Sequence, residues 1–158
     1  MNELMFLLAF TLHNIEEAIW LPRWSKYAGK YHPKVSNNEF HFALLVVTTL
    51  GYILTFLCLN FGQESEIVRY AYMGFLLMMC FNSIFPHLIS TIVLRRYAPG
   101  TLTGLLLNLP IGMFIILKGL EGGIELIKLL FGFISIAVIV IASLHPLFRL
   151  GKRLIDEY

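Results

Sequence analysis

The segment His13-Asn14-Ile15-Glu16-Glu17 puts one imidazole and two adjacent carboxylates inside an apolar run. Ionisable groups are costly within a membrane span, and where they occur they mark a functional site by default. In a helix His13, Glu16 and Glu17 stand at i, i+3 and i+4, so three ligands or proton carriers share one face. Two neighbouring carboxylates resist ionising together in low dielectric, which predicts either a shared proton or a bound cation. The structural alternative is a wet helix end where the acids pair with Arg or Lys.

What must position this cluster follows from composition. The chain has 158 residues, 58% of them hydrophobic and only 14% charged, with a mean hydropathy of +0.75. That suits an all-α, polytopic membrane helix bundle forming one domain over residues 1–158, and leaves no room for a soluble domain. A net charge of +2 is too small to imply nucleic acid. Cys58 and Cys80 form no CxxC pair and read as buried free thiols. With Glu3, no basic n-region and no small-residue cleavage site, the first apolar run is expected to remain as a membrane helix.

Apolar runs long enough to cross about 30 Å of hydrocarbon fall at about 2–21, 40–61, 67–94, 101–118 and 124–148. The third is overlong, and Pro86 supplies a kink by freeing the carbonyl of Asn82. Arg23, Lys26, Lys30 and Lys34 follow the first run, Arg95 and Arg96 the third, and Arg149, Lys152 and Arg153 the fifth; Arg69, Lys118 and Lys128 lie opposite. The positive-inside rule then predicts a plasma (inner) membrane protein with its N-terminus outside and its C-terminus cytoplasmic. The loop over 22–39 mixes bases with Trp24, Tyr27 and Tyr31, a membrane-surface anchor, and Gly29 and Pro33 argue against a continuous helix through it.

In this layout His13 lies near mid-membrane, and His41, His87 and His145 sit in the cytoplasmic half, with His32 in the basic loop. His41 and His145 read equally well as interfacial anchors. Ser83, His87, Ser90 and Thr91 make a polar stripe on the third helix, with Asn82 a third of a turn away. Thr101, Gly104, Asn108 and Gly112 share a face of the fourth, where Asn108 serves either as interhelical glue or as a substrate contact. His41, Thr48, Tyr52 and Thr55 do the same on the second.

Three separated motifs resemble the HXXEE family of integral membrane proteins: His13-Asn14-Ile15-Glu16-Glu17, an Asn-to-His pair at Asn82 and His87, and Tyr97-Ala98-Pro99-Gly100. The Asn and His stand five apart, where the family pattern spaces them by four. The resemblance covers about residues 2–120 and implies a membrane-embedded enzymatic activity without naming a reaction. Independently of it, Pro99 and Gly100 predict a tight turn that sets Arg95, Arg96 and Tyr97 above His87, where a lipid phosphate or carboxylate would find two guanidinium groups.

These residues predict a small metal-dependent enzyme acting on a lipid-soluble or amphiphilic substrate at the cytoplasmic leaflet. His13, His87 and one of Glu16 and Glu17 would hold zinc, iron or manganese, with the other glutamate as general base and Asn82 in the site. A metal-free acid–base site is a variant of it. The alternatives are a proton or cation transporter or channel component, and an accessory subunit whose polar groups lock helices together. Membrane lipids are the expected partners, and oligomers are compatible with all three.

Overall fold

The computed structural model describes residues 1–28 and 34–156. Among these, five helices are long and apolar enough to cross a membrane: α1 (Asn2–Ser25), α2 (Asn37–Phe61), α3 (Glu66–Leu94), α4 (Thr101–Glu121) and α5 (Leu126–Asp156). No strand occurs among the described residues. The expected break at Gly29 and Pro33, together with Lys30, Tyr31 and His32, lies outside them.

Several boundaries differ from the apolar runs, and at three of them the helix end shows why hydropathy did not decide it. α1 runs on through Pro22 to Ser25. Pro22 has no N–H for the Ala18 carbonyl one turn back, and His41 of α2 supplies the missing donor, Nε2 to Ala18 O at 2.8 Å. α2 starts at Asn37 because Ser36 and Glu39 form a reciprocal capping box. α5 continues past the last apolar turn because its basic end still carries helix-forming residues.

Beyond His41, α1 and α2 are joined by Asn14 donating to Thr48 at 2.8 Å and by Thr11 with Tyr52 at 3.1 Å. All of the stripe expected on α2 but Thr55, which donates to Gly51 O of its own helix, is therefore a ladder of interhelical hydrogen bonds, and the same ladder fixes the rotation of α1. Below it, Phe6 and Phe10 of α1 pack edge-on against Phe75 of α3 at 6.2 and 5.2 Å. Such pairs contribute about 0.5–1.5 kcal/mol beyond their burial. α5 leans on α3 where Gly74 and Gly132 meet; a Cβ on either would run into the partner's backbone. α5 also packs on α2, with Gly151 against Phe42, and buries Leu129, Ile136 and Val140 while its outer face exposes apolar side chains.

α3 does not pass smoothly through Pro86. Phe85 leaves helical dihedrals (φ −124°, ψ 118°), as the residue before a proline is driven to do, and the helix is kinked between Ser83 and Leu88. α4 instead has a widened turn at Gly104–Asn108, where Gly104 lies directly against Ser83.

Candidate metal centre

The kink in α3 decides which side chains meet. In a regular helix residues five apart point in different directions, but the break at Phe85, between Asn82 and His87, re-aims the second half of the helix and brings them together. Asn82 thus joins His87, its amide nitrogen 3.0 Å from His87 Nε2, instead of standing a third of a turn aside. The same amide reaches His13 Nε2 at 3.4 Å. Glu17, one turn beyond His13 on α1, puts Oε1 3.1 Å from His87 Nε2 and 4.0 Å from His13 Nε2. The two imidazoles cross edge-to-face with centroids 5.1 Å apart, and His13 and His87 are buried.

Glu16 faces another way. Its Oε1 accepts from the Tyr97 hydroxyl and from the Gly100 N–H at 2.7 Å. Its Oε2 accepts from the Thr103 N–H at 3.1 Å and the Thr103 hydroxyl at 2.6 Å. A carboxylate offers about four acceptor positions, and here all are taken. Gly100 and Thr103 belong to the first turn of α4, whose N–H groups have no partner within the helix, so Glu16 caps that helix from a neighbouring one. Tyr97 lies outside the spans, and burial followed by its bond to Glu16 pushes the phenol up to about 12. It therefore stays a donor at any ordinary pH.

Thr103 also fixes His13. Its single proton goes to Glu16, so its oxygen can only accept from His13 Nδ1, 3.2 Å away. That sets the tautomer: Nδ1 carries the hydrogen, and Nε2 turns a bare lone pair toward Glu17 and His87. Gly100 closes the roof over both rings. It sits at φ +90°, and a Cβ there would come within 2.7 Å of His87 Cε1 and 2.8 Å of His13 Cε1.

His13, Glu17 and His87 each offer one ligand atom, all within 4.8 Å of one another. Tetrahedral bonds of about 2.0–2.1 Å would place donor atoms roughly 3.3 Å apart, so the set fits a divalent ion with small adjustments. Two imidazoles and one carboxylate match both catalytic zinc and non-haem iron. His87 Nε2 and Glu17 Oε1, 3.1 Å apart, are held together by a hydrogen on the ring nitrogen or by a cation between them.

The structure thus brings His13, Glu17, His87 and Asn82 together and holds Glu16 behind them. Arg96 stacks on the Tyr27 ring at 4.0 Å and lines an open groove of about 710 Å³ with Tyr97, Glu16 and Thr103. Arg95 is exposed at a left-handed position and does not line this groove. Asn108 is wholly buried among α1, α3 and α4, its side-chain atoms without a hydrogen-bond partner among the described residues. His41 is occupied by Ala18, and His145 lies exposed on α5. Thr103 was the residue that sequence reasoning missed; its position in the first turn after Tyr97-Ala98-Pro99-Gly100 was the available signal.

No solved structure matches the chain. A curated relative, the uncharacterized protein YrkK of Bacillus subtilis (strain 168), is 45% identical over 149 residues and covers 94% of each chain. Residues 4–115, which hold every residue of the cluster and of the Glu16 clasp, match the family described as "protein of unknown function with HXXEE motif", and the chain belongs to that family.

Proposed function

We infer that the protein is a small membrane-embedded metalloenzyme whose substrate is lipid-soluble or amphiphilic and is met at the cytoplasmic leaflet. The carrying observation is the convergence of His13, Glu17 and His87 from two helices on one ion-sized position, with a built tautomer relay behind one ligand. His13 Nε2, His87 Nε2 and Glu17 Oε1 would hold the ion, and their three-ligand set leaves a coordination position for water or substrate. When bound, such an ion acidifies its water toward neutral pH or activates oxygen, depending on the metal.

The chain's own groups then divide the remaining work. Glu16 is saturated with hydrogen bonds and is a poor base; it holds α4 and, through Thr103, the His13 tautomer. Glu17 Oε2, which has no hydrogen-bond partner among the described residues, is the available base. Asn82 lies against the Nε2 atoms of both His13 and His87, so an ion held there would take its place and leave its amide free to meet bound water or substrate. The placement at the cytoplasmic leaflet rests on the basic residues that gather at this end of α1, α3 and α5.

One observation favours a second reading. Glu17, His13, Thr103, Glu16 and Tyr97 form a continuous polar chain from the centre to an exposed phenol, which would suit proton transfer in a transporter. Wild-type protein and Glu17→Ala in nanodiscs, incubated with a bacterial lipid extract and read by mass spectrometry, separate the two. The enzyme predicts a lipid consumed only by wild type and only with metal. A proton flux in liposomes that Glu17→Ala abolishes, with no lipid changed, would replace it with the transporter.

A further inference from the structure

The groove beside the centre has a chemical character of its own. Its apolar walls are Leu12, Ile15 and Ile19 on one stripe of α1 and Leu102 on α4. The stripe from Leu12 to Arg23 is about 16 Å long at 1.5 Å per residue, and it runs along the helix axis, long enough to lie beside an extended alkyl chain. These four side chains are exposed, so the groove opens toward the surface that meets lipid. At one end stand Arg23 and Arg96. Neither has an ion-pair partner among the described residues, and Arg96 is held in place over the Tyr27 ring. Two unneutralised guanidinium groups closing an apolar trough are complementary to an anionic head on an alkyl chain. The groove's inner wall is Glu16 and Thr103, the residues that position His13, so a chain lying in it passes alongside the centre.

We propose that this groove binds a single-chain amphiphile with an anionic head, its alkyl chain against Leu12, Ile15, Ile19 and Leu102 and its carboxylate or phosphate between Arg23 and Arg96. This names the substrate class for the enzyme inferred above and rests on that reading for its catalytic meaning, though not for binding.

The protein carries its own reporter, because its two tryptophans, Trp20 and Trp24, both line the groove. Purified full-length protein in phosphatidylcholine nanodiscs is titrated at pH 8 with three brominated probes of one chain length: a fatty acid, an alkyl phosphate and a fatty-acid methyl ester. Saturable quenching of tryptophan fluorescence is expected with the two anions, at concentrations roughly tenfold or more below those of the ester. Whichever anion acts at the lower concentration identifies the head group. The exposed double variant R23Q/R96Q should weaken the anions by about tenfold or more and leave the ester unchanged, while R23K/R96K keeps most of the preference. Equal quenching by ester and anions, or anion quenching unchanged in R23Q/R96Q, overturns the proposal. Glu17→Ala and His87→Ala should quench like wild type. Selective quenching in a protein that holds no metal leaves the groove standing and removes the metalloenzyme; a metal-loaded protein without selectivity does the reverse.

Discussion

The two adjacent glutamates look equivalent in sequence, yet one helix step of 100° gives them different work. Glu16 is clasped by four donors from the Tyr97-to-Thr103 segment, whereas Glu17 faces two imidazoles. Glu16→Ala is therefore expected to destabilise the protein by roughly 3 kcal/mol, since it strands several donors at once. Glu17→Ala should leave unfolding in mild detergent nearly unchanged, and thermal denaturation of the two variants side by side measures the contrast. Thr103 makes a sharper test. Thr103→Val removes the acceptor that holds Nδ1–H of His13 and should cost about 10–100-fold in metal affinity, while Thr103→Ser restores it. Tyr97 gives a pH signature. Its pKa rises from about 10 in an unfolded chain to about 12 in the fold. Its contribution to stability is thus complete below about pH 10 and lost as pH climbs toward 12. Tyr97→Phe should flatten that part of the stability–pH curve relative to wild type. The motif residues were legible from sequence; their division of labour was not, because nothing in His13-Asn14-Ile15-Glu16-Glu17 says where α4 begins in space.

At the scale of elements, helix irregularities build the site. Pro86 was visible in the sequence as a kink, but its consequence, the approach of Asn82 to His87 across the break at Phe85, depends on how the two halves of the helix are re-aimed. The five-residue spacing makes sense only with that kink. Three residues of the expected stripe on α2 have named partners on α1, His41 with Ala18, Thr48 with Asn14 and Tyr52 with Thr11, whereas Thr55 turns back to Gly51 O of its own helix. Gly100 is the point where element geometry and chemistry touch most closely. Its left-handed φ excludes most side chains, and its Cα lies against both imidazoles. Gly100→Ala should cost roughly 2 kcal/mol or more, from the disfavoured backbone and the crowded rings together. It should also lower metal content, measured on the same folded sample, whereas Gly123→Ala, at a similar φ of +92° in open space, should cost stability alone.

Over the whole molecule, hydropathy and length were sufficient to read five spanning helices, because apolar runs must satisfy their backbone within themselves. They could not show that α1, α3 and α4 meet around the centre while α5 packs against α2 and α3, since that arrangement rests on close contacts such as Gly74 with Gly132 and Gly104 with Ser83. The resulting bundle has an aromatic core under one half of α1 and a polar centre under the other. The central claim is that this centre holds a transition metal. The direct test is elemental analysis of full-length protein purified in mild detergent without chelator, together with Glu17→Ala and His87→Ala purified in parallel. The account predicts near one equivalent of zinc, iron or manganese in wild type and most of it gone from both variants, because each deletes a ligand. Metal-free wild type that gains none on addition of these ions, or variants that keep their metal, would contradict it.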